Sequence, residues 1–191
     1  MAKFTDGPFV SRGGDKLYAA LTELQVDVTG LVCADFGANV GGFTDCLLRL
    51  GAAKVYALDT GYGELAWKLR KDPRVVVMER TNALYEPPPE PVSLVVIDVA
   101  FTPQRLSVPA AWKWLRPLGR IVSLLKPHYE LEKLQRKAQT QPLDLPAAQA
   151  VGQRVRTELE QMGYPVRQVV QSPLKGKGGN YEFFLLLERP S

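Results

Sequence analysis

Two groups of residues in this 191-residue chain have the types and spacing for chemistry. The first lies in Leu31 to Leu50, LVCADFGANVGGFTDCLLRL, where an apolar run is followed by Asp35, Gly37, Gly41 and Gly42. Phe43, Cys46, Leu47 and Leu50 then recur at helical spacing. The stretch reads as strand, glycine-rich turn and helix. Glycines let a ligand lie against bare backbone, and a helix N-terminus offers unpaired N–H groups. A nucleotide-like cofactor suits such a turn. The spacing G-x-x-x-G-G departs from the dinucleotide fingerprint G-x-G-x-x-G, which weighs against a nicotinamide or a flavin. S-adenosylmethionine brings no pyrophosphate and fits better. An ordinary tight strand-to-helix turn stays open as the alternative.

The second group is four charged residues placed where core or ligand contact is expected. Asp98 sits near the end of the apolar run SLVVIDV, and Lys126 closes GRIVSLL. Glu182 is expected inside the last strand, YEFFLLL, and Lys16 begins a helix beside Gly13 and Gly14. In doubly wound sheets the carboxyl ends of the strands line the ligand crevice, which puts Asp98 and Lys126 at one mouth. Unpaired buried charge is expensive, so two lysines and two carboxylates near one another are expected to pair. The alternatives are a structural ion pair or a Lys126 that reaches solvent along its apolar stem.

The elements that must carry these residues alternate. Residues 1–13 read as an N-terminal loop, and Asp15 as the cap of a helix from Lys16 to about Leu24. Lys54 to Leu58 is a second strand ending at Asp59, a position where an acidic residue accepts hydrogen bonds from a ribose diol. A solvated turn residue is the other reading of Asp59. Glu64 to Lys71 reads as helix, Val75 to Met78 as strand, and Thr81 to Pro91 as irregular loop. SLVVIDV has the composition of a strand covered on both faces. Pro103 opens a helix expected to carry Trp112, Trp114 and Leu115. Ala147 to Met162 is an amphipathic helix, and Val166 to Val170 and Tyr181 to Leu187 are the last strands, with only a loop between them. The expectation is one α/β domain over residues 1–191, with no internal repeat.

Composition excludes some classes. Apolar residues make up 46% and charged residues 23%, which is not a disordered composition. No apolar run is long enough to span a bilayer, and MAKFTDGPF has no signal-peptide core, so a cytoplasmic location is expected. Cys33 and Cys46, in the central strand and its helix, read as small core residues. The net charge of +4 permits a polyanionic partner. His128 is the single histidine and has no ligand cluster around it, so no metal is expected.

FVSRGGDKL, DFGANVGGFTDCLL, VYALDTGYGEL, ERTNA, VVIDVAF, LLKPHYE and SPLKGKGGNYEF stand in this order from Phe9 to Leu187. In that order they resemble the TlyA-type branch of the FtsJ-like methyltransferases. The resemblance implies a class I, Rossmann-like S-adenosylmethionine-dependent fold: a mostly parallel seven-stranded sheet with helices on both faces and an antiparallel last strand. It implies methyl transfer to a ribose 2′-hydroxyl, in ribosomal RNA. The family's Lys-Asp-Lys-Glu tetrad falls on Lys16, Asp98, Lys126 and Glu182. Gly41, Phe43, Asp59, Asn82 and Asp98 fall on cofactor-contacting positions. The sequence departs at Asn39 and Val40, where the family usually has Ser and Thr, at Ala100, usually Ser, and at LKPHYE for the commoner LKPQFE.

A ribose hydroxyl is a weak acid. On the family's pattern Lys126 is its base or the cation that stabilises the alkoxide, Asp98 orients Lys126, Lys16 adds a second positive charge and Glu182 positions the network. TlyA-type proteins usually start with a small S4-like RNA-binding domain, whereas this sequence begins almost at SRGG. The expected phosphate-binding surface is therefore Arg12, Lys133, Arg136, Lys137, Lys175 and Lys177, with a partner protein as a second source of RNA contact. The family also carries the label hemolysin, but neither a spanning segment nor a long basic amphipathic helix supports membrane lysis. Two other classes stay open: a non-catalytic RNA- or ribosome-binding protein on the same fold, and a methyltransferase for a small molecule or protein.

Overall fold

The structure, a computed structural model, describes residues 8–131 and 141–191. The helices are α1 (Arg12–Glu23), α2 (Gly42–Arg49), α3 (Trp67–Arg70), α4 (Gln104–Trp112), α5 (Pro127–Glu130) and α6 (Leu145–Gln161). The strands are β1 (Val32–Phe36), β2 (Lys54–Leu58), β3 (Val75–Met78), β4 (Val92–Ile97), β5 (Leu115–Leu125), β6 (Val166–Gln171) and β7 (Phe183–Glu188). They form one seven-stranded sheet in the order β3-β2-β1-β4-β5-β7-β6. The first five strands pair in parallel, and β7 runs antiparallel between β5 and β6. The mostly parallel seven-stranded sheet with an antiparallel last strand is the arrangement expected from the family resemblance.

Period-2 alternation divides the core between the two faces of the sheet. Leu94 and Val96 of β4 pack with Leu17 and Leu21 of α1 and Leu47 of α2. Their neighbours Val95 and Ile97 pack with Val108 and Ala111 of α4 and with Val155 and Leu159 of α6. Burial on both sides is why these strands read as continuous apolar runs.

Four local expectations are corrected. The N-terminal loop ends earlier than residue 13: α1 begins at Arg12, because Ser11 rather than Asp15 is the cap, its side chain accepting the Gly13 N–H two residues on. Only Trp67 to Arg70 of the expected helix at 64–71 is helical. Trp114 lies beyond α4, where its buried indole N–H donates to the Glu86 carbonyl at 3.0 Å, and Leu115 already belongs to β5. Glu182 immediately precedes β7 rather than lying within it.

Two glycines set the site. Gly37 follows β1 with φ 86°, and a Cβ there would lie 2.6 Å from the Asp98 carbonyl oxygen, so the ends of β1 and β4 close up only around glycine. Gly41, with φ 101°, caps α2, and a Cβ there would strike the side chains of Leu65 and Leu69.

Candidate active site

The strand order reverses between β1 and β4, and a crevice opens there at the carboxyl ends of the strands, the usual ligand position in open α/β sheets. It has two lobes, of about 350 and about 260 Å³, which share Gly37, Asn39, Asp98 and Ala100.

The larger lobe is lined by Asp59 and Thr60 after β2, Asn82 and Leu84 after β3, and Phe101 after β4. The Asp59 carboxylate accepts the Asn39 N–H at 2.8 Å and the Gly61 N–H at 2.7 Å, which ties the end of β2 to the β1–α2 turn. Asn39 has φ 47°, and its own side chain accepts the Val40 N–H at 2.8 Å. Asparagine tolerates this left-handed backbone better than most residues, which suits it to the position. The Asn82 side chain accepts the Leu84 N–H at 3.0 Å. A carboxylate has about four acceptor sites, so Asp59 keeps capacity beyond its two backbone partners. Carboxylate, amide and apolar walls together fit a ligand with a diol and a flat base.

The smaller lobe holds Lys16, Phe43, Asp98 and Lys126, with Ser11, Gly13 and Gly42 beside them. The Lys126 ammonium is hydrogen-bonded to Asp98, and their side chains are 16% and 28% exposed. Lys126 has an extended backbone (φ −112°, ψ 96°), as the residue before a proline must, which aims its side chain off the end of β5. Lys16 pairs with Glu182 at 2.6 Å. Glu182 lies behind Lys16, with Gly176 packed so closely on its carboxylate that a Cβ there would overlap it. The four charges thus form two pairs, and three of the four residues line one lobe.

Asp35 and Gly41 are the exceptions among the expected cofactor residues, and Asp35 departs furthest. Asp35 does not line the crevice: alternation along β1 turns it away from Ala34 and Phe36 and toward α2. There it is fully buried and accepts the Thr44 hydroxyl at 2.7 Å, and its other oxygen has no hydrogen-bond partner among the described residues. Burial pushes its carboxyl up to about 7, against the opposing Thr44 bond. Gly41 likewise faces Leu65 and Leu69. Burial also raises both thiols, Cys33 to about 12, so neither is a nucleophile at neutral pH.

Of the basic residues, Arg12 donates to the Lys175 carbonyl at 3.1 Å, and the Lys175 ammonium lies 4.2 Å from the Tyr181 ring centre. Lys133, Arg136 and Lys137, and the side chain of Lys177, lie outside the described residues. Sequence reasoning missed Phe101, which is 71% exposed with φ 59° and stacks on Tyr129 at 4.7 Å beside the crevice. Its one sequence signal is its place three residues after Asp98. Among the described residues no group of three His, Cys, Asp or Glu is arranged to hold a metal ion, and no helix is long and apolar enough to cross a membrane.

The model of the FtsJ-like methyltransferase family matches residues 9–189. The chain belongs to that family. It is 42% identical over 186 residues to the 16S/23S rRNA (cytidine-2′-O)-methyltransferase TlyA of Mycobacterium tuberculosis, covering 94% of this chain and 68% of TlyA. It is 40% identical over 188 residues to YqxC of Bacillus subtilis, provisionally named an rRNA methyltransferase, covering 95% of this chain and 66% of YqxC. A solved structure from Streptococcus thermophilus, provisionally named a hemolysin, superposes with a TM-score of 0.88 at 35% identity over 99% of this chain and 70% of that one. The chain therefore spans about two thirds of the length of the curated relatives it matches.

Proposed function

We propose that this chain is one methyltransferase domain that transfers methyl from S-adenosylmethionine to a ribose 2′-hydroxyl of ribosomal RNA. The observation that carries the reading is the pair formed by Lys126 and Asp98 at the junction of the two lobes, with the paired Lys16 beside it. A 2′-hydroxyl needs a cation or base at the reacting oxygen, and a non-catalytic binder has no need to hold costly charges in a crevice. The family match and the rRNA-methylating relative support the same reading.

The cofactor supplies an activated methyl group on a sulfonium centre, so the protein has to position and deprotonate the acceptor. The residues to hold it are Asp59 and Asn82 in the larger lobe, with the Gly37 turn and Asp98 at the junction. Lys126 faces the acceptor hydroxyl, where it withdraws the proton or holds the developing negative charge. Asp98 fixes the direction of that ammonium. Lys16 adds positive charge to the lobe, and Glu182 keeps Lys16 there. Arg12 and Lys175 contribute to a phosphate-binding surface beside the crevice. A cytoplasmic place follows from an rRNA substrate.

The test is methyl incorporation from labelled S-adenosylmethionine into naked rRNA, ribosomal subunits, tRNA and protein fractions, with ribose methylation mapped by position. Methylation of rRNA that Lys126→Ala abolishes supports the reading, whereas incorporation into protein or small molecules alone overturns it. Activity on subunits but not on naked rRNA shows that the target is read in the folded, protein-bound subunit.

A further inference from the structure

Gln104, the first residue of α4, is 3% exposed and bonds to both sides of Lys126. Before Lys126, the Gln104 side-chain amide donates to the Leu124 carbonyl at 3.1 Å and accepts the Ser123 hydroxyl at 2.6 Å. After Lys126, the Gln104 backbone N–H donates to the Glu130 carboxylate at 2.8 Å. The α4 N-cap, Pro103, has no side chain able to cap the helix, so Glu130 serves this end from another helix. The Glu130 carbonyl in turn accepts Arg154 of α6 at 2.7 Å. The chain leaves β5, turns at Lys126 and enters α5 within this bracket.

We propose that Gln104 and Glu130 are positioning residues: together they brace the β5–α5 junction and so hold the Lys126 ammonium against Asp98. The proposal rests on Lys126 facing the acceptor hydroxyl. A cap alone would require only the bond from the Gln104 N–H to Glu130. The two further bonds, to Ser123 and Leu124, bind the end of β5 to the same residue and fix Lys126 from the strand side. A lysine has four side-chain torsions, and an extended backbone limits its reach only if that backbone is itself held. Burial pushes the Glu130 carboxyl up to about 7, offset by the Gln104 N–H and by Arg154. An acid kept in so unfavourable a place is consistent with a bond that the junction requires.

The experiment measures Lys126 directly. Trace acetylation with acetic anhydride at fixed pH, read by mass spectrometry against the exposed Lys113, reports how firmly the ammonium is held, without cofactor or RNA. Glu130→Ala and Gln104→Ala should each raise Lys126 labelling by about threefold and lower the single-turnover methyl-transfer rate by about tenfold. S-adenosylmethionine affinity should stay within about twofold. Glu130→Gln, which keeps an oxygen for the Gln104 N–H, should restore both rate and labelling. Should Glu130→Ala not fold, Glu130→Asp carries the test, since it keeps the charge but falls a methylene short. Unchanged Lys126 labelling in these variants overturns the proposal, as does a Glu130→Gln variant as damaged as Glu130→Ala. If the wild-type protein methylates no rRNA, the function reading fails, while the labelling still decides whether the brace holds Lys126.

Discussion

Lys16 and Glu182 meet at 2.6 Å across 166 positions of sequence, with side chains 12% and 4% exposed. Breaking a buried pair by removing one partner leaves the other charge uncompensated, at about 3–5 kcal/mol. Glu182→Ala should therefore lower unfolding stability by that order in urea titration and reduce methyl transfer. Glu182→Gln, which keeps an acceptor for Lys16, should lose less stability.

Gly176 gives a milder handle on the same pair. A Cβ at this position would displace the Glu182 carboxylate without removing it. Gly176→Ala should lower the methyl-transfer rate, by up to about a hundredfold for a misplacement of about 1 Å, with cofactor affinity near wild type. Single-turnover kinetics and calorimetry on the same preparation check both halves.

With Lys126 in the proposed role at the acceptor hydroxyl, Lys126→Ala should remove nearly all methyl transfer and leave cofactor affinity near wild type. Lys126→Arg separates the two chemical roles. Guanidinium keeps the charge but gives up no proton near neutral pH, so loss of activity means proton withdrawal and retained activity means charge stabilisation.

Asp59 holds the Asn39 and Gly61 amides from the end of β2. Asp59→Ala should weaken S-adenosylmethionine binding by about 1–3 kcal/mol, the cost of hydrogen-bonding groups left unpaired. Unchanged affinity by calorimetry removes Asp59 from the cofactor site.

Asp35 carries a pH signature. Burial raises its folded-state pKa from 3.8 to about 7, so the folded chain keeps a proton that the unfolded chain releases in that window. The contribution is fully present below 3.8 and is lost as pH rises through about 7. Asp35→Asn has no such loss, so its stability relative to wild type should climb across the window, by up to roughly 4 kcal/mol. Urea titrations of both proteins at several pH values read the difference directly.

The strands and the position of Lys126 were legible because a parallel sheet covered on both faces demands apolar runs, against which a single charge stands out. Asp98 was legible for the same reason. Asp35 was misread because the turn motif says nothing of which way the last residues of β1 face; that follows from register against β2 and β4. The pairing of Lys16 with Glu182 was expected from proximity, but residues so far apart in sequence carry no local signal of contact. Here the family resemblance supplied what spacing did not. Trp114 reads as helical from its neighbours, yet its place is decided by the Glu86 carbonyl it reaches. Phe101 has a positive φ that no propensity suggests, so neither its backbone nor its ring contact with Tyr129 could be read from composition.

The place of β7 between β5 and β6 has a consequence for how the protein is made. The strand latest in the sequence fills an interior position, so until residues 183–188 leave the ribosome β5 and β6 each show a bare edge to the space between them. The β5–β7 pairing, which brings Leu125 beside Phe183, is the long-range and slower one, and an open edge is where nascent chains go astray. Glu182 arrives with that strand. During synthesis, then, the cofactor lobe, built from residues before position 103, takes shape well before Lys16 gains its partner. The growing chain therefore has a binding pocket before it has a complete set of charges.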